Sequence, residues 1–171
     1  MRATFHVKRL ADAAAAWHDA ANLLGYRARS EAEMRERLRQ RGYAAEVIEA
    51  TLERLSVAGL VDDAAFAEQW VASRGRQSPR GRRLLASELR GKGLTAEATE
   101  AALSTSVGDT DLALAAAAKK VKALRALPVD VARRRLWGHL ARRGFDAAAI
   151  ASAVRATLGA QGEDLDHGVD R

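Results

Sequence analysis

The chain has 171 residues, with no cysteine, two prolines, 5% aromatic residues and 39 alanines, so a disulfide scaffold, a thiolate metal site and a cysteine nucleophile are excluded. Charged residues (29%) are spread between short apolar clusters, no apolar run nears the roughly 18 residues of a membrane span, and Met1 to Leu10 has no signal-peptide pattern, which together predict a folded cytoplasmic protein. The net charge of +6 resolves into −3 on residues 160–171, where Glu163, Asp164, Asp166 and Asp170 stand against Arg171 alone, and +9 on the remainder, a balance suited to an acidic partner.

The first predicted element is a helix from about Leu10 to Leu24. A second opens at Ser30, where Ser30-x-x-Glu33 has the form of a capping box that satisfies two free backbone donors. Met34 and Leu38 share one face, and Gly42 supplies a left-handed stop. The third runs from about Ala45 to Val57, with Val47, Ile48, Thr51, Leu52 and Leu55 at helical spacing. Asp62-Asp63 opens the fourth, whose stripe is Phe66, Ala67, Trp70 and Val71; two acids at a helix start read as capping residues rather than a metal pair. Pro79 suits the first turn of the fifth, which carries Leu84, Leu85 and Leu89 before Gly93. Thr95 caps the sixth, and three more helices follow over Asp111 to Leu127, Pro128 to Arg143 and Asp146 to Leu158. No segment alternates at period two for long, so the fold class is all-α.

An internal repeat organises these elements. Gly42, Gly93 and Gly144 are 51 residues apart, and the same offset aligns Met34 with Leu85 and Leu136, Leu38 with Leu89 and Leu140, and Leu52 with Leu103 and Val154. We therefore expect three tandem three-helix repeats, over residues 1–59, 60–108 and 109–159, with a disordered acidic tail at 160–171. Units this small have marginal cores, so they should stack into an elongated, curved right-handed or solenoid-like array. Gly59 to Asp62 and Ser106 to Asp109 are the joints, the second being the preferred hinge.

Catalytic chemistry finds little support. His6, His18, His139 and His167 are scattered without metal-ligand spacing, no nucleophile-elbow or phosphate-loop pattern occurs, and His139 reads as a surface residue. Basic clusters are the stronger lead. Between Val71 and Lys92 lie Arg74, Arg76, Arg80, Arg82, Arg83, Arg90 and Lys92 against Glu88 alone, and between Arg133 and Arg143 lie five arginines and no acid. The matching helix of the first repeat dilutes Arg35, Arg37, Arg39 and Arg41 with Glu31, Glu33 and Glu36. Such runs are either solvated helix faces or, aligned by stacking, one contact stripe. Trp70 reads as core, Trp137 as packing or contact, and Tyr43 and Phe145 as seals at the helix corners.

These residues together resemble the RecX family. The resemblance rests on Ser30-x-x-Glu33-Met34-Arg35-x-x-Leu38-x-x-Arg41-Gly42-Tyr43, and on Gly59-Leu60-Val61-Asp62-Asp63-x-x-Phe66-Ala67-x-x-Trp70-Val71. It continues through Pro79, Glu88-Leu89-Arg90-x-Lys92-Gly93-Leu94, Leu136, Leu140-x-Arg142-Arg143-Gly144-Phe145 and Ile150, and so covers about Arg29 to Leu158. Val61 and Met34 stand where leucine is commoner, and the third repeat's alanine-rich first helix matches loosely. The resemblance implies a non-enzymatic regulator, without cofactor or metal, that lies along the RecA–DNA filament. Such a protein suppresses RecA ATPase, co-protease and strand-exchange activities and thereby restrains homologous recombination, DNA repair and the SOS response.

On that footing the expected filament-facing residues are Arg80, Arg82, Arg83, Arg90 and Lys92, with Arg133, Arg134, Arg135, Arg142 and Arg143. The expected partner of this monomer is the RecA filament, with weak binding to single- and double-stranded DNA. The rival is a helical repeat protein that binds DNA directly without RecA; each repeat resembles a helix-turn-helix domain. Against it, the basic helices carry no base-reading Asn/Gln set, since Gln40 and Gln77 are isolated. A structural scaffold is the third reading.

Overall fold

Short apolar stripes between charged residues leave each segment one face to bury, which is the condition for packed amphipathic helices. The computed structural model describes residues 11–159, so the expected disorder of 160–171 lies outside the described residues; the first helix, expected from about Leu10 to Leu24, runs from Ala13 to Tyr26 because Asp12 caps its start. Among the described residues there are nine α-helices, one 3-10 turn and no strand. The helices are α1 (Ala13–Tyr26), α2 (Glu31–Gln40), α3 (Ala45–Val57), α4 (Asp63–Gln77) and α5 (Arg82–Gly91). They continue as α6 (Ala96–Ser104), α7 (Asp109–Val121), α8 (Val129–Arg142) and α9 (Ala147–Leu158).

Most starts follow the side-chain capping read from the sequence. Asp62 accepts from the backbone of Ala64 and Ala65, Thr95 from Ala98 and Asp146 from Ala149. Two expectations shift. Pro79 is not in the first turn of α5; it is buried two residues before the Gly81 start position, and its carbonyl accepts from Arg143. The helix expected over Asp111 to Leu127 starts earlier, at Asp109, and gives way at Lys122–Leu124 to a 3-10 turn, closed by the Leu127 N–H on the Leu124 carbonyl. Pro128 keeps the chain from resuming the helix beyond that turn, because Leu127 before it is pushed out of the α region.

The 51-residue register holds in the core. Met34, Leu85 and Leu136 are all buried, as are Leu38, Leu89 and Leu140, and Leu52, Leu103 and Val154. Tyr43 and Phe145 are buried too. Gly42, Gly93 and Gly144 share a left-handed φ, at 86°, 81° and 83°, the conformation that ends each middle helix. The described chain forms two compact units, residues 11–69 with 89–102, and 70–88 with 103–159. The first has a core of α1 to α3 side chains around Met34, Leu38 and Leu55; the second has one of α7 to α9 around Ala117, Leu136 and Leu140.

Within each unit the start of one middle helix abuts the end of the next one. In the first, the Ser30 hydroxyl at the head of α2 donates to the Lys92 carbonyl at the foot of α5 (2.6 Å). In the second, the Gly81 N–H at the head of α5 donates to the Arg143 carbonyl at the foot of α8 (2.8 Å). Donors and acceptors are each 51 residues apart, so one joint is built twice. Each places the positive end of a helix dipole on the negative end of another. The backbones come so close that a Cβ on Gly93 would overlap Ala32, and one on Gly144 would overlap Leu84.

A second bond doubles each joint. Asp63 Oδ1 accepts from the Glu31 N–H (2.8 Å), and Asp109 Oδ1 accepts from the Arg82 N–H (2.9 Å). Glu31 and Arg82 keep the 51-residue spacing; Asp63 and Asp109 do not, because α6 is four residues shorter than α3 and the connection after it is one residue shorter. Asp63 therefore caps the helix of another segment rather than its own, a task that falls to Asp62 alone. The third repeat offers no such head. The position matching Ser30 and Gly81 is Ala132, buried inside α8, which begins a turn earlier.

Gly81→Ala tests the joint. The added methyl would overlap the backbone of Gly144 and Phe145, so we expect a loss of about 1–3 kcal/mol. Gly91→Ala, which meets nothing within 4 Å, should be neutral or stabilising by up to about 1 kcal/mol. Urea unfolding followed by far-UV circular dichroism measures both.

Candidate functional site

The ten nominated basic residues divide by whether the fold already uses them. Arg80 is ion-paired with Glu88. Arg82 donates to the Leu103 carbonyl at the end of α6 (3.1 Å). Lys92 pairs with Glu33 (2.7 Å), and Arg143 donates to Ser78 Oγ (3.1 Å) and the Pro79 carbonyl (2.9 Å). Lys92 and Arg143 occupy the same repeat position and both brace the helix joint. Arg134 makes only a long, exposed pair with Asp130 (3.9 Å), worth little to stability. Among the described residues no hydrogen bond or ion pair engages the side chains of Arg83, Arg90, Arg133, Arg135 or Arg142.

The single acid of the second cluster is its hub. Glu88, half-buried, accepts from Trp70 Nε1 (2.9 Å), pairs with Arg80 and lies 3.7 Å from Arg74, whose guanidinium stacks over the Trp70 ring. Trp70 is thus half-buried and polar-bonded rather than a core residue. Burial, with Arg74 and Arg143 nearby, lowers the pKa of Arg80. Trp137 is 41% exposed and so is not a core residue.

Two surface grooves collect the remaining charge, one in each unit. The first, of about 410 Å³, has Glu33, Glu36 and Arg37 of α2 on one wall and Arg90 to Gly93 on the other. Arg80, Arg82 and Arg83 belong to the other unit, so the five-residue patch read from the sequence is divided between the units. The second groove, of about 510 Å³, has Arg134, Arg135, His139 and Arg142 of α8 facing Lys120 of α7. Among the described residues no carboxylate lines it. Arg27, Arg29, Lys120 and His139 are site residues that clustering along the chain missed, because helix packing supplies their proximity.

The electrostatics separate the two grooves. Burial alone would raise the Glu33 carboxyl, but hydrogen bonds and charges from Arg27 and Lys92 outweigh it and hold it at about 2. Glu33 is therefore committed to those cations, and the reciprocal half of the expected capping box is not made; Ser30 caps Glu33 N–H without return. Glu36 is held at about 2 by hydrogen bonds from Arg39 and Gln40. His139 is half-buried rather than a surface residue, and burial together with Arg143, Lys120 and Arg142 lowers its pKa, so the ring is neutral at neutral pH. Asp63 and Asp109 are both raised, chiefly by burial, as expected of carboxylates drawn into a helix joint. Among the described residues no group of His, Asp and Glu could hold a metal ion.

This arrangement can attract and hold anions. Comparison with known proteins agrees with its three-part plan. The chain matches the family models of the RecX first, second and third three-helix domains over residues 16–55, 62–103 and 108–154. It is 43% identical to a regulatory protein RecX of Mycobacteroides abscessus over 156 residues, covering 90% of this chain and 76% of that one. It is 39% identical to the one from Thermobifida fusca, covering 81% and 76%. A crystal structure of RecX from Lactobacillus salivarius superposes with a TM-score of 0.75 at 20% identity, covering 85% of this chain and 96% of the other. A second crystal structure of a regulatory protein RecX gives 0.73 at 23%, covering 81% and 71%.

The Glu33 pairs set an acid limb in stability. The Glu33 pKa is depressed on folding, so its stabilisation is complete above its ordinary value of 4.5 and is lost as pH falls toward about 2. We expect about 1–2 kcal/mol lost across that window after discounting solvent screening. Asp63 and Asp109, raised on folding, oppose this slightly as they protonate. Glu33→Gln should flatten the limb in urea titrations at stepped pH.

Proposed function

The chain belongs to the RecX family of regulatory proteins, and from that membership we propose that it binds RecA and the RecA–DNA filament and inhibits recombinase, ATPase and co-protease activity. It would thereby modulate homologous recombination, DNA repair and the SOS response, acting as a cytoplasmic monomer and not as an enzyme. No helix among the described residues is long and apolar enough to cross a membrane. The observation that supports this reading best is the set of unengaged arginines on the middle helices: Arg83 and Arg90 of α5, and Arg133, Arg135 and Arg142 of α8. Charges that the fold does not use remain available to an acidic partner, and arginine can clamp carboxylate or phosphate through two parallel bonds. Repeats that meet successive subunits of a filament would add weak contacts through high effective concentration.

Arg80, Arg82, Lys92 and Arg143 are positioning residues in this proposal, since each is held by a neighbour in the fold. Direct binding to DNA is the rival. Titration against bare DNA and against RecA filaments at physiological salt separates the two.

The decisive variant is Arg83→Glu with Arg90→Glu, which removes no fold contact among the described residues. We expect at least about a tenfold rise in the concentration that half-inhibits RecA ATPase, with an unchanged melting temperature. Full inhibition at the original concentration would refute the assignment of these residues.

A further inference from the structure

The two grooves are lined by the same five positions of their middle helices. Ala32, Glu33, Glu36, Arg37 and Gln40 in the first repeat correspond, two repeats of 51 residues later, to Arg134, Arg135, Gly138, His139 and Arg142. In the first repeat this face is already taken, because the foot of α5 seats there and Lys92 reaches Glu33. In the third repeat the opposite wall is the end of α7 and the 3-10 turn, and among the described residues no middle-helix foot fills the space. Glu33 has become Arg135, and Glu36 has become Gly138. A cation thus stands where the first repeat has the acceptor of a basic helix end.

We propose that the α7–α8 groove of the third repeat is a binding site for a run of adjacent phosphate groups. Lys120, Arg134, Arg135 and Arg142 give it four permanent cations; among the described residues no carboxylate lines its walls, and Asp130 reaches only Arg134, at 3.9 Å and exposed. Arg135, Gly138, His139 and Arg142 lie at i, i+3, i+4 and i+7, one stripe along two turns of α8. Gly138 leaves the stripe open where a Cβ would lie 3.3 Å from Arg142 Nη1, so the guanidinium folds over the bare backbone. His139 lies in the same stripe and adds a ring N–H donor.

The occupant is polyanionic rather than peptidic, because the apolar part of the lining is only Ala123 and the buried Leu124, too little to seat the side chains of an acidic segment. A second copy of the chain does not fit. Its first repeat would bring Arg41, the equivalent of Lys92, against Arg135 where Glu33 is needed. The volume of about 510 Å³ is of small-ligand size. Free polyphosphate and a nucleic-acid backbone both supply such phosphates; the site recognises the chemistry they share.

This inference shares Arg134, Arg135 and Arg142 with the filament reading but is tested without RecA, so either can fail alone. Isothermal titration of the full chain with tripolyphosphate, and anisotropy of a labelled oligothymidylate, are compared for the wild type, Arg135→Glu with Arg142→Glu, and Lys120→Ala. Neither unengaged arginine holds the fold among the described residues, and melting temperature checks this. We expect the double variant to weaken tripolyphosphate at least tenfold, and Lys120→Ala to weaken it severalfold. Displacement of tripolyphosphate by the oligonucleotide, with a salt slope that falls by about one for each phosphate contact removed, would identify the backbone as the source. Tripolyphosphate binding that the oligonucleotide does not displace would identify free polyphosphate. Wild-type affinity in both variants, no binding of either probe, or tighter binding of polyglutamate than of tripolyphosphate would overturn the proposal.

Discussion

The interaction on which the structure depends is the meeting of two helix ends at close range. A helix start presents unbonded N–H groups and a helix end presents unbonded carbonyls, and either is costly to bury alone. Here each satisfies the other. Ser30 reaches Lys92, and Gly81 reaches Arg143, while Asp63 and Asp109 satisfy a further N–H at each joint. Glycine at 93 and 144 serves two purposes at once, as a left-handed stop and as the only residue without an atom in the contact. The two joints also differ. Where position 81 is glycine the main chain bonds directly, and where position 30 is serine a hydroxyl spans the gap.

That constraint sorts the charges. Lys92 and Arg143 sit beside the joints and are held there, Arg82 ties down the end of α6, and Arg80 shares Glu88 with Trp70 and Arg74. What remains is a smaller set of arginines with no structural task on α5 and α8. In the first repeat the equivalent helix neutralises its own charge, Arg35 with Glu31 and Glu49, Arg39 with Glu36, and Arg41 with Asp19 of α1. Repeats alike in backbone therefore differ in surface chemistry. Among the described residues both grooves are basic, but the first carries Glu33 and Glu36 on its walls and the third carries no carboxylate.

Reading charge along the chain treated all ten residues alike, because proximity in sequence says nothing about which side chain has a partner. Glu88 appeared as one acid diluted by seven bases, yet its half-buried position lets it engage three side chains. The capping box at Ser30-x-x-Glu33 was half right for a related reason. The local pattern identified the serine cap, but Lys92, 59 positions away, competes for the glutamate and brings a full charge where the local backbone offers one N–H.

The sequence by itself determined the helices, the stops and the repeat, because apolar spacing, capping residues and left-handed glycines act within a few residues and recur at 51. It also carried the family, since the Gly59-to-Val71 block and the helix–glycine segments are local patterns. Tertiary structure alone decided that Asp63 caps Glu31, that Asp109 caps Arg82 although the spacing is broken, and which arginines are spent. It also decided that Lys120 and His139 join Arg135 and Arg142 in one groove. The physical reason is range: a helix is specified by neighbours along the chain, whereas a charge is either silenced or left open by whatever residue packing places within a few ångströms of it.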